Sequence, residues 1–137
     1  MTHRARVIAV ALVLGGLGAA PAALATPDAQ RGETIYARCA ACHALAFDRV
    51  GPRHCGLFGR RAGSVQGFAY SPAMKQSAIV WDEQALDRFL AAPLKAIPGT
   101  TMTYDGIADR LERADLIAYL RQVDRTPACR GSRPLQR

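Results

Sequence analysis

Cys39-Ala40-Ala41-Cys42-His43 is the stretch on which the reading of this chain turns. Two thiols stand three positions apart and an imidazole follows at once. Near a helix end these three side chains share one side of the backbone, because positions three and four apart are neighbours there. The C-x-x-C-H spacing is the attachment signature of c-type haem. The two thiols suit addition to two vinyl groups, and the imidazole then reaches the iron through its distal ring nitrogen. Other chemistries use parts of the same pattern. A dithiol redox pair needs a βα setting, and no strand pattern precedes Cys39. A zinc site needs four ligands, and a second cysteine pair is missing, although His54 and Cys55 could be drawn in. A structural Cys39–Cys42 bridge would close an uncommonly tight loop. The pentad also occurs by chance, so its surroundings decide.

Working outward, the chain has 137 residues, 50% of them hydrophobic and 21% charged. That bounds it to one small globular domain and excludes a two-domain enzyme, a long repeat array or a polytopic membrane protein. Residues 1–25 read MTHRARVIAVALVLGGLGAAPAALA. Arg4 and Arg6 make a basic start, Val7 to Gly18 is an uncharged apolar run, and Ala23-Leu24-Ala25 offers small residues for cleavage. This is the layout of a secretory signal peptide, so export to the periplasm is expected. An uncleaved membrane anchor is the alternative, opposed by the shortness of the run, its glycines and Pro21. Cleavage after Ala25 would remove two arginines and no acid from a formal net charge of +7. The remaining cations are interspersed with acids, which suits acidic protein partners better than nucleic acid.

From Thr26 onward the pattern is helices joined by Gly/Pro-rich loops. Thr26-Pro27-Asp28 resembles a helix start, with Thr as cap and Pro first, and that helix is expected to run to about Cys39. Seven Gly and Pro residues between positions 47 and 72 exclude a long strand or helix there. Pro72 to Ser77 fits one short helix. Asp82 can cap a helix that stops before Pro93, with Leu86, Phe89 and Leu90 on one face. Residues 93–108 are expected as loop, with a turn at Pro98-Gly99. Asp109 with Glu112 suggests the cap of a last helix carrying Leu116, Ile117, Leu120 and Val123 as an apolar stripe. No period-two alternation is sustained, so the fold class is mostly α. Loops this long in so small a domain usually wrap a ligand.

Several further motifs stand in order around the pentad. They are Gly51-Pro52 followed by Gly56-Leu57-Phe58-Gly59-Arg60, then Gly67-Phe68-Ala69-Tyr70-Ser71, then Ile79-Val80-Trp81. Ile97-Pro98-Gly99-Thr100-Thr101-Met102 and Glu112-Arg113-Ala114-Asp115-Leu116-Ile117-Ala118-Tyr119-Leu120 complete the set. With these, residues 29–123 resemble the class I cytochrome c family, in particular its mitochondrial and bacterial c2-like branch. The resemblance implies three to five helices and long loops around one haem c, covalent through Cys39 and Cys42. With the signal peptide expected at 1–25, it implies a cytochrome domain at 26–124 and an added tail at 125–137.

The resemblance also implies roles. His43 and Met102 are the expected metal ligands, a His/Met pair that raises the reduction potential. The Pro52 carbonyl would accept the outward proton of His43. Arg60, Tyr70, Trp81 and Thr100 are the remaining expected cofactor-binding residues, the first three as donors to anionic propionates and Thr100 bonding either a propionate or the methionine-loop backbone. Met74 would pack on the ring. Phe89 stands where relatives often carry Tyr, so a hydroxyl near the methionine sulfur is missing and the potential is expected to shift. The lysines that rim the haem edge in relatives are largely absent: Leu94, Thr101 and Ala108 stand at such positions, while Arg38 and Lys95 remain. Between His43 and Gly51 the chain is shorter than in mitochondrial relatives.

Cys55 and Cys129 lie outside the pentad. An oxidising compartment and an even leftover count favour a disulfide between them. His54 reads as a loop histidine. The expected function is that of a monomeric periplasmic electron carrier working between redox proteins, without an enzyme's substrate pocket. Its alternatives are a haem subunit of a periplasmic dehydrogenase complex, or a Met-labile haem with peroxidase or ligand-binding activity.

Overall fold

The computed structural model describes residues 25–131. The expected signal peptide therefore lies, except for Ala25, outside the described residues. Six helical segments follow one another: α1 (Ala29–Tyr36), α2 (Pro72–Gln76), α3 (Glu83–Ala91), α4 (Pro93–Ala96), α5 (Arg110–Asp124) and α6 (Pro127–Arg130). Among the described residues there is no strand, only an isolated antiparallel bridge between Arg61 and Val80. The chain is mostly α, as its periodicity indicates.

Local chemistry sets most helix starts. Ser71, Asp82 and Asp109 cap α2, α3 and α5, their side-chain oxygens accepting from the amides of Met74, Ala85 and Glu112. The start of α1 differs from expectation. Asp28, not Thr26, is its cap, accepting from the amides of Gln30 and Arg31. A carboxylate accepts from two amides at once, and the Asp28 amide is itself held by Asp115 Oδ1 at 2.6 Å. The helix also stops at Tyr36, short of Cys39. Two more corrections concern short pieces. α4 forms within the expected 93–108 loop, started by Pro93 at its first position. α6 forms in the added tail, likewise behind a proline, Pro127, which brings the count to one more than expected.

The frame is the crossing of α1 with α5. A Cβ at Gly32 would stand 2.0 Å from the Asp115 carbonyl oxygen and 2.7 Å from Tyr119 Cβ, so only glycine lets the two backbones approach this closely. Arg31 ties the crossing by donating from Nε to Asp115 Oδ2 at 2.7 Å and from Nη2 to Oδ1 at 2.9 Å. α3 packs beside α5, bringing Leu86, Phe89 and Leu90 into one core with Leu116, Ile117 and Leu120. Val123 of the stripe is only partly buried and packs at its margin.

The loop between α4 and α5 is pinned by buried Arg113. Its guanidinium donates to the Ile107 and Ala108 carbonyls and to Asp87 Oδ1. The Ile107 amide bonds the Leu90 carbonyl at 2.8 Å, satisfying one of the acceptors left over at the end of α3. Cys55 and Cys129 are joined by a disulfide, which ties α6 to the loop after Pro52.

Candidate functional site

The pentad is built by turns that continue the course of α1. Cys39 and Ala40 donate backbone amides to the Tyr36 carbonyl, and Cys42 and His43 donate to the Cys39 carbonyl. This winding puts Cys39, Cys42 and His43 on one side of the chain. The Gly51 amide then bonds the Cys42 carbonyl at 2.7 Å and brings the next loop against the pentad. Cys39 and Cys42 are not joined by a disulfide.

The three side chains line a cavity of about 390 Å³ inside the core. Pro52, Arg60, Tyr70, Trp81, Thr100 and Met102 line the same cavity, so all nine residues expected at the site converge there. They arrive from five separate stretches of chain. The rest of the wall is largely apolar, with Leu57, Leu86, Leu116 and Leu120 among it.

His43 Nδ1 lies 2.8 Å from the Pro52 carbonyl oxygen. A carbonyl can only accept, so Nδ1 carries the proton. Burial lowers the His43 pKa below the ordinary histidine value, opposed by that hydrogen bond. The neutral ring in this tautomer presents a lone pair at Nε2, the form in which imidazole binds metals. Gly51 stands against the ring: a Cβ there would lie 2.3 Å from His43 Cε1. Burial also pushes the Cys39 thiol up.

Arg60 donates from Nη1 to the Cys55 carbonyl and from Nη2 to the Arg53 carbonyl. Both acceptors are neutral, so these bonds orient the guanidinium and leave its charge at the cavity wall. Tyr70 is raised above the ordinary phenol value by burial, with Arg60 opposing. Thr100 is buried, and its Oγ1 accepts from the Met102 amide at 3.3 Å, which is the loop-backbone role. Phe89 is buried against Trp81, with ring centroids 5.1 Å apart. Met74 is buried and lines the cavity as well.

His54 is placed differently from a plain loop histidine. It lines the cavity, and its ring stacks on His43 with centroids 4.3 Å apart and planes 21° from parallel. It is half-buried, and burial, His43 and Arg60 hold its pKa well below the ordinary histidine range. Tyr36, also absent from the expected set, lines the cavity with its hydroxyl 3.2 Å from His54 Nδ1. Neither position carries a signal in the sequence, since both contacts cross between separate segments.

The donor set suits a haem c. It offers two thiols, a neutral imidazole with its lone pair free of the Pro52 bond, a thioether, an apolar cavity and polar donors in the wall. It does not suit zinc. Cys55 is consumed by Cys129, and among the described residues no group of three or more His, Cys, Asp or Glu side chains could hold a metal ion.

The family model described as cytochrome c matches residues 29–124. Cytochrome c2 of Blastochloris viridis is 42% identical over 111 residues, covering 79% of this chain and 87% of that protein. Cytochrome c2 of Rhodoblastus acidophilus is 42% identical over 99 residues, covering 70% and 91%. Among solved structures, cytochrome cH from Methylobacterium extorquens superposes with a TM-score of 0.68 at 43% identity, covering 69% of this chain and 98% of that one.

Proposed function

This chain belongs to the cytochrome c family, and we propose that it works as a periplasmic one-electron shuttle between redox proteins, with His43 and Met102 as its iron ligands. It is an electron carrier, not an enzyme, and its cofactor is one covalently attached haem c. When bound, that group supplies an iron that gains and loses single electrons.

The observation that carries the ligand assignment is the convergence of Cys39, Cys42, His43 and Met102 on one apolar cavity, with His43 Nδ1 committed to Pro52. Cys39 and Cys42 would hold the group through thioether sulfurs, each S–H adding across one vinyl group so that no leaving group is needed. His43 offers Nε2, and Pro52 holds the ring in that tautomer. Met102 offers a soft sulfur, which favours the reduced state. Arg60, Tyr70, Trp81 and Thr100 are the polar groups of the wall that can meet anionic substituents, Arg60 by charge and the others by hydrogen bonding. The apolar lining keeps water from the site, so little solvent must reorganise when charge changes.

Residues 1–25 are the proposed signal peptide and 26–124 the cytochrome domain, with 125–137 a tail tied on through Cys129. Export is supported by the basic-apolar-small pattern and by the Cys55–Cys129 disulfide, a bond that persists in oxidising compartments. No helix among the described residues is long and apolar enough to cross a membrane. The mature protein is proposed to act as a monomer.

The test is the visible spectrum, oxidised and reduced, of protein matured in a periplasm with haem-attachment machinery. A sharp low-spin reduced spectrum, with the weak long-wavelength sulfur–iron band when oxidised, is expected. Covalent haem without that band would strike Met102 from the ligands and favour a ligand-binding haem. Absence of covalent haem would end the assignment of Cys39, Cys42 and His43.

A further inference from the structure

We propose that His54 is a positioning residue for His43: its ring, stacked on the His43 ring and tethered to the Tyr36 hydroxyl, sets the plane in which His43 faces the iron. This rests on the reading of His43 as an iron ligand.

The argument starts from what one hydrogen bond can do. The bond from His43 Nδ1 to the Pro52 carbonyl fixes the direction in which the ring points. It leaves the ring free to rock about that line, because a single N–H···O contact is nearly indifferent to rotation about its own axis. A second flat ring in face contact removes this freedom. His54 supplies it, with centroids 4.3 Å apart and planes 21° from parallel.

His54 can serve as a reference only if it is held itself, and it is held at three levels. Its backbone amide bonds the Ala44 carbonyl at 3.1 Å, and the next amide, that of Cys55, bonds Leu45 at 2.7 Å. Its Nδ1 lies 3.2 Å from the Tyr36 hydroxyl, and the two rings meet edge to face at 5.6 Å. Tyr36 is in turn buried on α1 against Tyr119 of α5, with centroids 5.3 Å apart. A run of four rings thus leads from the close crossing of α1 with α5 to the ligand imidazole. The following residue, Cys55, is bonded to Cys129, which anchors the same loop from its far side.

The functional consequence is electronic. With haem bound, the plane of the His43 imidazole would bear on how its π system overlaps the iron, and through that on the magnetic anisotropy of the oxidised form and on the reduction potential, a usual reach of groups beyond the direct ligands. An aliphatic side chain at position 54 could fill the same space. It could not impose a plane.

The experiment uses full-length protein carrying covalent haem. Electron paramagnetic resonance g-values of the oxidised form and the reduction potential are measured in wild type, His54→Leu, His54→Phe and Tyr36→Phe. Proton NMR of the oxidised wild type identifies the hyperfine-shifted imidazole. The expected result is that Leu at 54 moves the g-values and the potential. Phe, which keeps a flat ring but loses the bond to the Tyr36 hydroxyl, should move the g-values by less than Leu does, to about the extent of Tyr36→Phe. Tyr36→Phe, which removes only the tether, should move both readouts in the direction of the Leu variant and by less. Leu and Phe variants that behave alike would reduce His54 to packing and overturn the proposal. So would wild-type values in the Leu variant. If His54→Leu fails to accumulate as a haem protein, Tyr36→Phe decides, and wild-type g-values and potential there overturn the proposal. A hyperfine-shifted imidazole belonging to a residue other than His43 would defeat the ligand assignment itself. His43 as ligand with an unresponsive position 54 defeats only the positioning role.

Discussion

Gly51 and His43 are so close that a methyl group cannot be placed between them: a Cβ at position 51 would stand 2.3 Å from His43 Cε1 and 2.6 Å from Nδ1. The ring cannot retreat freely, because its Nδ1 is bonded to the Pro52 carbonyl. Gly51→Ala is therefore expected to displace either the ring or the loop. Overpacking of this kind costs about 1–3 kcal/mol. Denaturant unfolding of the haem protein should show that loss, accompanied by a change in the oxidised visible spectrum. A variant with wild-type stability and spectrum would mean that the His43 ring is not pinned.

The Cys55–Cys129 bridge joins residues 74 positions apart, and neither sulfur-bearing residue lines the cavity. Its effect should accordingly fall on stability and spare the spectrum. Closing a loop of this size is worth about 4–5 kcal/mol in the chain-entropy account, and removal of native disulfides typically costs about 2–5 kcal/mol. The double variant Cys55→Ser/Cys129→Ser is expected to unfold at markedly lower denaturant while keeping its wild-type reduced spectrum. Equal unfolding midpoints would show that the bridge does not constrain the unfolded chain.

Asp115 makes the stability of the chain sensitive to acid. The Arg31 guanidinium holds its carboxyl below the ordinary carboxylate range, with help from the Asp28 amide and against the cost of burial. A depressed folded-state value contributes stability that is complete above the unfolded carboxylate pKa, near ~3.9. That contribution is lost as the pH falls through the folded value. Arg31 is half exposed, so solvent screens part of the attraction. In Asp115→Asn the unfolding midpoint should be lower at neutral pH and should fall less steeply on acidification. Parallel acid profiles for wild type and variant would remove Asp115 from the account.

Phe89 brings no hydroxyl to the wall it shares with Met102. It is buried against Trp81, so a tyrosine there would place its oxygen in largely apolar surroundings. A buried hydroxyl without a partner costs about 1–3 kcal/mol, which drives it toward any available acceptor. The Met102 sulfur is an available one in the same wall. Phe89→Tyr should therefore shift the reduction potential in a redox titration. An unchanged potential would show that a hydroxyl at position 89 does not reach the ligand.

What could be read along the chain was what operates over a few residues. Cys39, Cys42 and His43 share one side because three- and four-residue spacings coincide in a turn, whatever surrounds them. Asp82 and Asp109 cap their helices through amides three positions on, and Pro72 stands where a first helical position tolerates a missing N–H. The ordered motifs from Gly51 to Leu120 then carried the family, and with it nine residues that meet in one cavity.

The tertiary structure decided what spans separate segments. Asp28 caps α1 through the amides of Gln30 and Arg31, and its own amide is held by Asp115, 87 positions away, a tie that no local pattern shows. Gly32 is required by a backbone of α5 that no local pattern mentions. His54 looked like one more loop residue, and its meaning lies in two rings that packing brings to it, Tyr36 from α1 and His43 from the pentad. Hydrogen bonds within a turn are determined by sequence spacing alone. Contacts between segments exist only once the apolar faces of α1, α3 and α5 have closed on one another, and that closure is a property of the whole core.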